Sequence, residues 1–107
     1  MSMIDNFEKM LAAGQDSALL RYSLGTAYQK AGEPERALDH LASAVEQDPG
    51  YSAAWKIYGK LLVEVERLDE AISAFETGIS VADEKGDIQA AKEMRVFLKR
   101  ANKAKTA

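Results

Sequence analysis

The sequence predicts an all-α fold: a stack of antiparallel helix pairs, about six helices in a single domain. Three observations carry that expectation. First, the set Leu24-Gly25, Tyr28, Ala37, Leu41, Ala44 and Pro49 recurs 34 positions later, without a gap, as Tyr58-Gly59, Leu62, Ala71, Phe75, Gly78 and Asp83. Ala31 with Val65, Leu38 with Ile72 and Val45 with Ile79 extend the match. Second, apolar residues fall three and four apart, the spacing that gathers side chains on one face of a helix, and no run alternates as a strand would. Third, Gly14, Gly32-Glu33-Pro34, Pro49-Gly50 and Gly86 punctuate the amphipathic segments where helices would turn.

Taken in order, residues 1–16 hold a helix near 3 to 13. Subtracting one period from Ala37, Leu38, Leu41, Ala44 and Val45 gives Met3, Ile4, Phe7, Met10 and Leu11, all apolar, so this is a second-of-pair helix standing alone. Gly14 breaks it, and Asp16-Ser17 offer oxygens to the free N–H groups of a helix at 17 to 31. Glycine at 32 can end that helix and proline at 34 can open the next, at 34 to 48. These two make the first full pair, 17–50. The second pair, 51–85, places helices at 52 to 65 and 68 to 85, with Arg67-Leu68-Asp69 in place of the Gly-Glu-Pro turn.

Residues 86–107 form a terminal helix, near 87 to 103, and a tail. Ala90, Ala91, Met94, Phe97, Leu98 and Ala101 cluster on one side of it, with Lys92, Arg95, Lys99 and Lys103 opposite. Strict continuation of the period would turn Gln89, Lys92 and Glu93 inward, so the register slips by two residues around Asp83 to Asp87. The segment is a cap with a polar outer face, as stacked repeats require. Glycine inside a helix costs roughly 1 kcal/mol relative to alanine. Gly25 and Gly59 therefore need a reason, and close approach to a small partner, Ala37 or Ala71, is the expected one.

A period of 34 with small, aromatic and helix-forming residues at these offsets resembles the tetratricopeptide repeat (TPR), a helix-turn-helix unit. The resemblance implies a right-handed superhelix and protein binding as the mode of action. Trp55 stands where the family places a large aromatic residue; Arg21 holds that place one period earlier, with Leu20 or Tyr22 expected to take over as anchor. In such stacks the first helix of each pair lines a concave groove, which implies a peptide-binding set of Tyr22, Thr26, Gln29 and Lys30 from one repeat and Lys56, Lys60, Val63 and Glu64 from the next. Lys56 and Lys60, four apart on one face, suit acidic side chains or a terminal carboxylate. A subset of the family clamps the C-terminal carboxylate of heat-shock chaperones with a fixed Lys and Asn set. Tyr22 and Thr26 stand at its first two places, which argues against that clamp.

The composition, 47% hydrophobic and 29% charged, is that of an ordinary globular chain. Without cysteine there are no disulfides, thiolate metal sites or cysteine nucleophiles. His40, the single histidine, reads as a surface residue, and Glu33, Glu35, Asp69 and Glu70 sit at helix starts, where they complement the helix dipole. No enzyme, metal or cofactor is expected. No apolar stretch approaches the ~18 residues of a membrane span, and the N-terminus lacks a secretory pattern, so a cytoplasmic protein is expected. Residues 1–83 hold 7 Lys/Arg against 14 Asp/Glu, and residues 84–107 hold 7 against 3. The basic C-terminal segment reads as a solvated face rather than a nucleic-acid site, because no aromatic residues interleave with the cations on its polar face. The expected function is a protein–protein interaction module of adaptor or assembly type, monomeric or a weak homo-oligomer, with a protein or peptide partner of acidic character. The alternative is a structural protein that self-associates through its terminal helices, favoured if Phe7, Met10 or Phe97 stays exposed.

Overall fold

In a computed structural model, which describes residues 2–107, the chain forms α1 (Met3–Ala12), α2 (Ala18–Lys30), α3 (Pro34–Gln47), α4 (Ser52–Glu64), α5 (Leu68–Lys85) and α6 (Ile88–Thr106). The described residues contain no strand. α2 packs on α3 and α4 on α5 as the two repeats, α1 leans on α2, and α6 lies against both α5 and α4. α6 is longer than expected, running past Lys103 to Thr106.

Local chemistry fixes the ends. Ser17 Oγ accepts from Leu20 N–H (3.1 Å) and Asp87 Oδ1 from Ala90 N–H (3.2 Å), each satisfying a donor that the first helical turn leaves free. α2 ends with Gly32 in the left-handed region, where Glu33 N–H reaches Tyr28 O (3.0 Å) and Gly32 N–H reaches Gln29 O (3.1 Å). One period later the same pair of bonds forms from Arg67 N–H to Leu62 O and Glu66 N–H to Val63 O, both 2.9 Å. Glu66 therefore adopts φ 62°, the conformation that Gly32 adopts with ease. The stop expected at Arg67-Leu68-Asp69 is in fact made by the residue before it.

The core explains the helical glycines and corrects their expected partners. A carbon added at Gly25 would stand 2.6 Å from Leu41 Cγ, and one added at Gly59 would stand 2.5 Å from Phe75 Cε1. The glycines make room first for the large side chains of the facing helix; at Gly25 the Ala37 carbonyl oxygen also lies 3.4 Å from the added carbon, whereas at Gly59 the nearest atoms are all of Phe75 and none of Ala71. Leu24, Leu41, Leu61, Leu62, Phe75 and Met94 fill the interior. Each such burial contributes on the order of 1.5–3 kcal/mol.

The anchor position differs between repeats in a compensated way. Trp55 lies beside small residues of the neighbouring helices, Ala42 and Ala74, and its indole N–H donates to Pro49 O (2.8 Å). Arg21, its counterpart, meets His40, the counterpart of Ala74: the guanidinium donates to His40 Nδ1 (3.2 Å) and grips Asp16 through two bonds (2.8 and 2.9 Å). Leu20 is buried, and Tyr22 packs on Tyr51 with ring centroids 5.0 Å apart. His40 is not the surface residue expected. Its side chain is only 14% exposed, stacked on Tyr28 (5.5 Å) with Nε2 3.6 Å from Glu8 Oε1.

Candidate ligand-binding face

α2, α4 and α6, neighbours in space, line one face of the stack. The sequence of α6 alone does not place it, because the repeat register breaks before it; three contacts along α4 do. Ser52 Oγ donates to Asp87 Oδ2 (2.8 Å), Lys56 Nζ bonds Glu93 Oε2 (3.3 Å), and Lys60 Nζ lies 5.1 Å from the centroid of the Phe97 ring. Successive turns of α4 thus meet successive stretches of α6, which sets the two helices running in the same direction. The hydrogen bonds from Ser52 and Ala90 hold the Asp87 carboxyl below its ordinary range, and those from Lys56 and Gln89 do the same for Glu93.

The eight groove residues expected from the sequence fall into separate places on this face. Thr26 and Lys30 border a cleft of about 460 Å³ with Met3, Ile4 and Phe7 of α1. Tyr22 is half-buried against Tyr51, and Gln29 lies in neither cleft. Lys60, Val63 and Glu64 border a second cleft, about 350 Å³, with Phe75, Phe97, Arg100, Ala101 and Ala104. Lys56 was expected on a helix face that the core does not use. It is instead 25% exposed and committed to Glu93, so it serves the α4–α6 contact.

Phe97 was expected on the apolar side of the terminal helix and as a contact for self-association if it stayed exposed, and Arg100 was not singled out, yet the two complete the second cleft. Their signal was present: three apart on α6, they share a face. Both cations of the cleft attend one ring, Lys60 at 5.1 Å and the Arg100 guanidinium at 6.0 Å from the Phe97 centroid. Neither forms an ion pair among the described residues, whereas Lys56, Arg95 and Lys105 are each paired. With Glu64 on the lining, the cleft keeps a net charge of +1. An apolar floor with two uncommitted cations can hold an anion joined to an apolar group. No group of three His, Asp or Glu side chains among the described residues could hold a metal ion, and none of their helices is long and apolar enough to cross a membrane.

Helix pairs stacked at a fixed period, each with a glycine beneath a large side chain of its partner, define a helical-repeat protein. Residues 4–78 match the family described as anaphase-promoting complex, cyclosome, subunit 3. Over 97% of its length the chain is 51% identical to a TPR repeat-containing protein of Pseudomonas aeruginosa, 99% of which is covered. The chain belongs to the tetratricopeptide-repeat family. It is similar in structure to a protein of Bordetella parapertussis solved in solution, with a TM-score of 0.82 and 39% identity over 97% of this chain and 90% of that one. It is also similar to the second TPR domain of the human RPAP3 protein, solved in complex with an HSP70 peptide, with a TM-score of 0.74 and 29% identity over 92% of this chain and 78% of that one.

Proposed function

We propose that this chain is a peptide-binding adaptor that holds an acidic segment, or an acidic chain end, of a partner protein in the cleft between α4 and α6. The observation that carries the reading is the pair Lys60 and Arg100, both uncommitted, over the Phe97 ring beside Val63, Ala101 and Ala104. A carboxylate that reaches both cations is shielded from water on its apolar side, where charge-assisted hydrogen bonds are strongest. The fold is commonly a protein-interaction module and its family typically a non-enzymatic scaffold, which supports a binding role without catalysis. The RPAP3 domain with its HSP70 peptide shows that this architecture can hold a short segment. Tyr22 and Thr26 still argue against the chaperone-type clamp, so the ligand is an acidic segment of another kind. A cytoplasmic setting belongs to the same proposal and is checked by cell fractionation.

The test compares labelled peptides of equal apolar content, acidic, neutral and basic, for binding to the wild type and to Lys60→Glu with Arg100→Glu. The acidic peptide should bind best, weaken with salt because exposed charges are screened over about 8–10 Å, and be lost in the double reversal. Lys92→Glu with Lys99→Glu, on the outer side of α6, should leave it bound. Equal binding of neutral and acidic peptides, or loss only in the outer-face variant, overturns the reading.

A further inference from the structure

The repeat provides its own template for what should cover α1. Phe7, Leu41 and Phe75 occupy one position at successive periods. Leu41 presses on Gly25 of α2 and Phe75 on Gly59 of α4. Beside them Ala37 and Ala44 of α3, and Ala71 of α5, are fully buried. Their counterparts on α1 are not: Met3 is 65% exposed and Met10 40%. Among the described residues no helix stands to α1 as α2 stands to α3.

What remains is a furrow between α1 and α2. On one side of Phe7 it is lined by Met3, Ile4, Thr26, Ala27 and Lys30, and on the other by Met10, Leu19, Leu20 and Ser23, with volumes of about 460 and 310 Å³. Leu19, at its rim, is 66% exposed. Six large apolar side chains, Met3, Ile4, Phe7, Met10, Leu19 and Leu20, thus line a trough in the place where a first-of-pair helix would lie. Methionine, unbranched and polarisable, adapts to a partner better than Ala37, Ala44, Ala71 and Gly78, which hold these places in the other repeats. Lys30, exposed at one end, forms no ion pair among the described residues.

We infer that this furrow docks an amphipathic helix of another protein in the position that a first-of-pair helix would take. The chemistry of the occupant follows from α2 and α4. It presents a glycine or alanine to Phe7, as Gly25 does to Leu41, with a large apolar residue immediately before it and another three positions after, the Leu24-Gly25 and Tyr28 arrangement. A carboxylate on its flank meets Lys30. This surface lies on the far side of α2 from the Lys60–Arg100 cleft and does not depend on it.

The probe is a synthetic helical peptide of about 15 residues, long enough for several turns, carrying Leu-Gly-x-x-Tyr on one face and glutamates on its flank. Titrated by fluorescence anisotropy against the whole chain, it should bind the wild type, and the Lys60→Glu, Arg100→Glu variant equally well. Met10→Glu with Leu19→Glu should weaken it at least about tenfold, a 1.4 kcal/mol loss. Both residues are exposed, so an unchanged circular dichroism spectrum shows that the fold survives. Replacing the peptide's glycine by leucine should cost as much. No binding to the wild type, equal binding to the Met10, Leu19 variant, or indifference to the glycine overturns the inference. So does sedimentation showing that a second copy of this chain fills the furrow, with a dimer that Met10→Glu dissolves.

Discussion

The Phe75 ring stands so close to Gly59 that a single added carbon would come within 2.5 Å of Cε1. A whole period of the structure depends on that contact, since it lets α4 and α5 approach with a large ring between them. Gly59→Ala should destabilise the fold. Overpacking of this kind costs about 1–3 kcal/mol, and alanine's better helix propensity returns up to about 1 of it. Thermal melting should fall by a few degrees, and by much more in Gly59→Leu. In a Phe75→Leu background the cost of Gly59→Ala should shrink. An unchanged melting point in both glycine variants would mean that the ring does not hold this place.

Glu66 carries the opposite expectation. At φ 62° an L-residue is strained by roughly 1–2 kcal/mol relative to glycine, while glycine loses more entropy on folding. Glu66→Gly should therefore raise stability by about 0.5–1 kcal/mol, read as a higher melting temperature. Gly32→Ala, at the equivalent turn, should lower it.

His40 gives a pH signature. Burial is the main cause that holds its pKa below 6.5, with the Arg21 charge adding to it, while Glu8, Asp39 and Asp16 oppose the shift. In the window just below 6.5 the unfolded chain takes a proton that the folded chain refuses. The His40 contribution to stability is thus intact above 6.5 and is lost as pH falls through that window. Denaturant melts from pH 7.5 to 5 should show a decline that His40→Gln reduces. Asp16 belongs to a lower window. Arg21 and Gln47 bonds hold its carboxyl far below the ordinary 3.8, so its contribution is lost only in stronger acid. A decline identical in wild type and His40→Gln would assign the effect elsewhere.

The helix order and most ends were legible because they rest on spacing and on residues that mark helix ends by their backbone: Gly32 and Gly86, which accept a positive φ freely, and Pro34, whose φ is fixed. Glu66 was not, because nothing in a glutamate announces a left-handed turn; only its position one period after Gly32 does. Leu41 and Phe75, rather than Ala37 and Ala71, cover the glycines because the helices cross where the large side chains lie, and spacing gives a face but not a crossing point. The register slip before α6 hid the site most. Without the position of α6, Lys56 looked free although Glu93 claims it, and Arg100 had no visible relation to Lys60. His40 misled for a similar reason: sequence showed its place on α3 but not Arg21 and Glu8 converging on it from two other helices.

Lys56 offers a direct check on that division of labour. Lys56→Ala removes a partly exposed ion pair, which costs about 0–1 kcal/mol. It should lower the melting point slightly and leave acidic-peptide binding unchanged. A loss of binding equal to that of Lys60→Glu would return Lys56 to the ligand site.

The most direct measurement is a map of amide chemical shifts as a peptide is added. The probe is a short peptide ending in a leucine and an aspartate with a free carboxylate, and its control is the same peptide with asparagine and an amidated end. With the acidic peptide, saturable shifts should concentrate on Lys60, Val63, Glu64, Phe97, Arg100 and Ala104, shrink as salt is raised, and vanish in the Lys60→Glu, Arg100→Glu variant, while the control leaves the spectrum still. Shifts gathered on Lys92, Lys99 and Lys103, equal response to the control, or no response at all would contradict the assignment of the α4–α6 cleft.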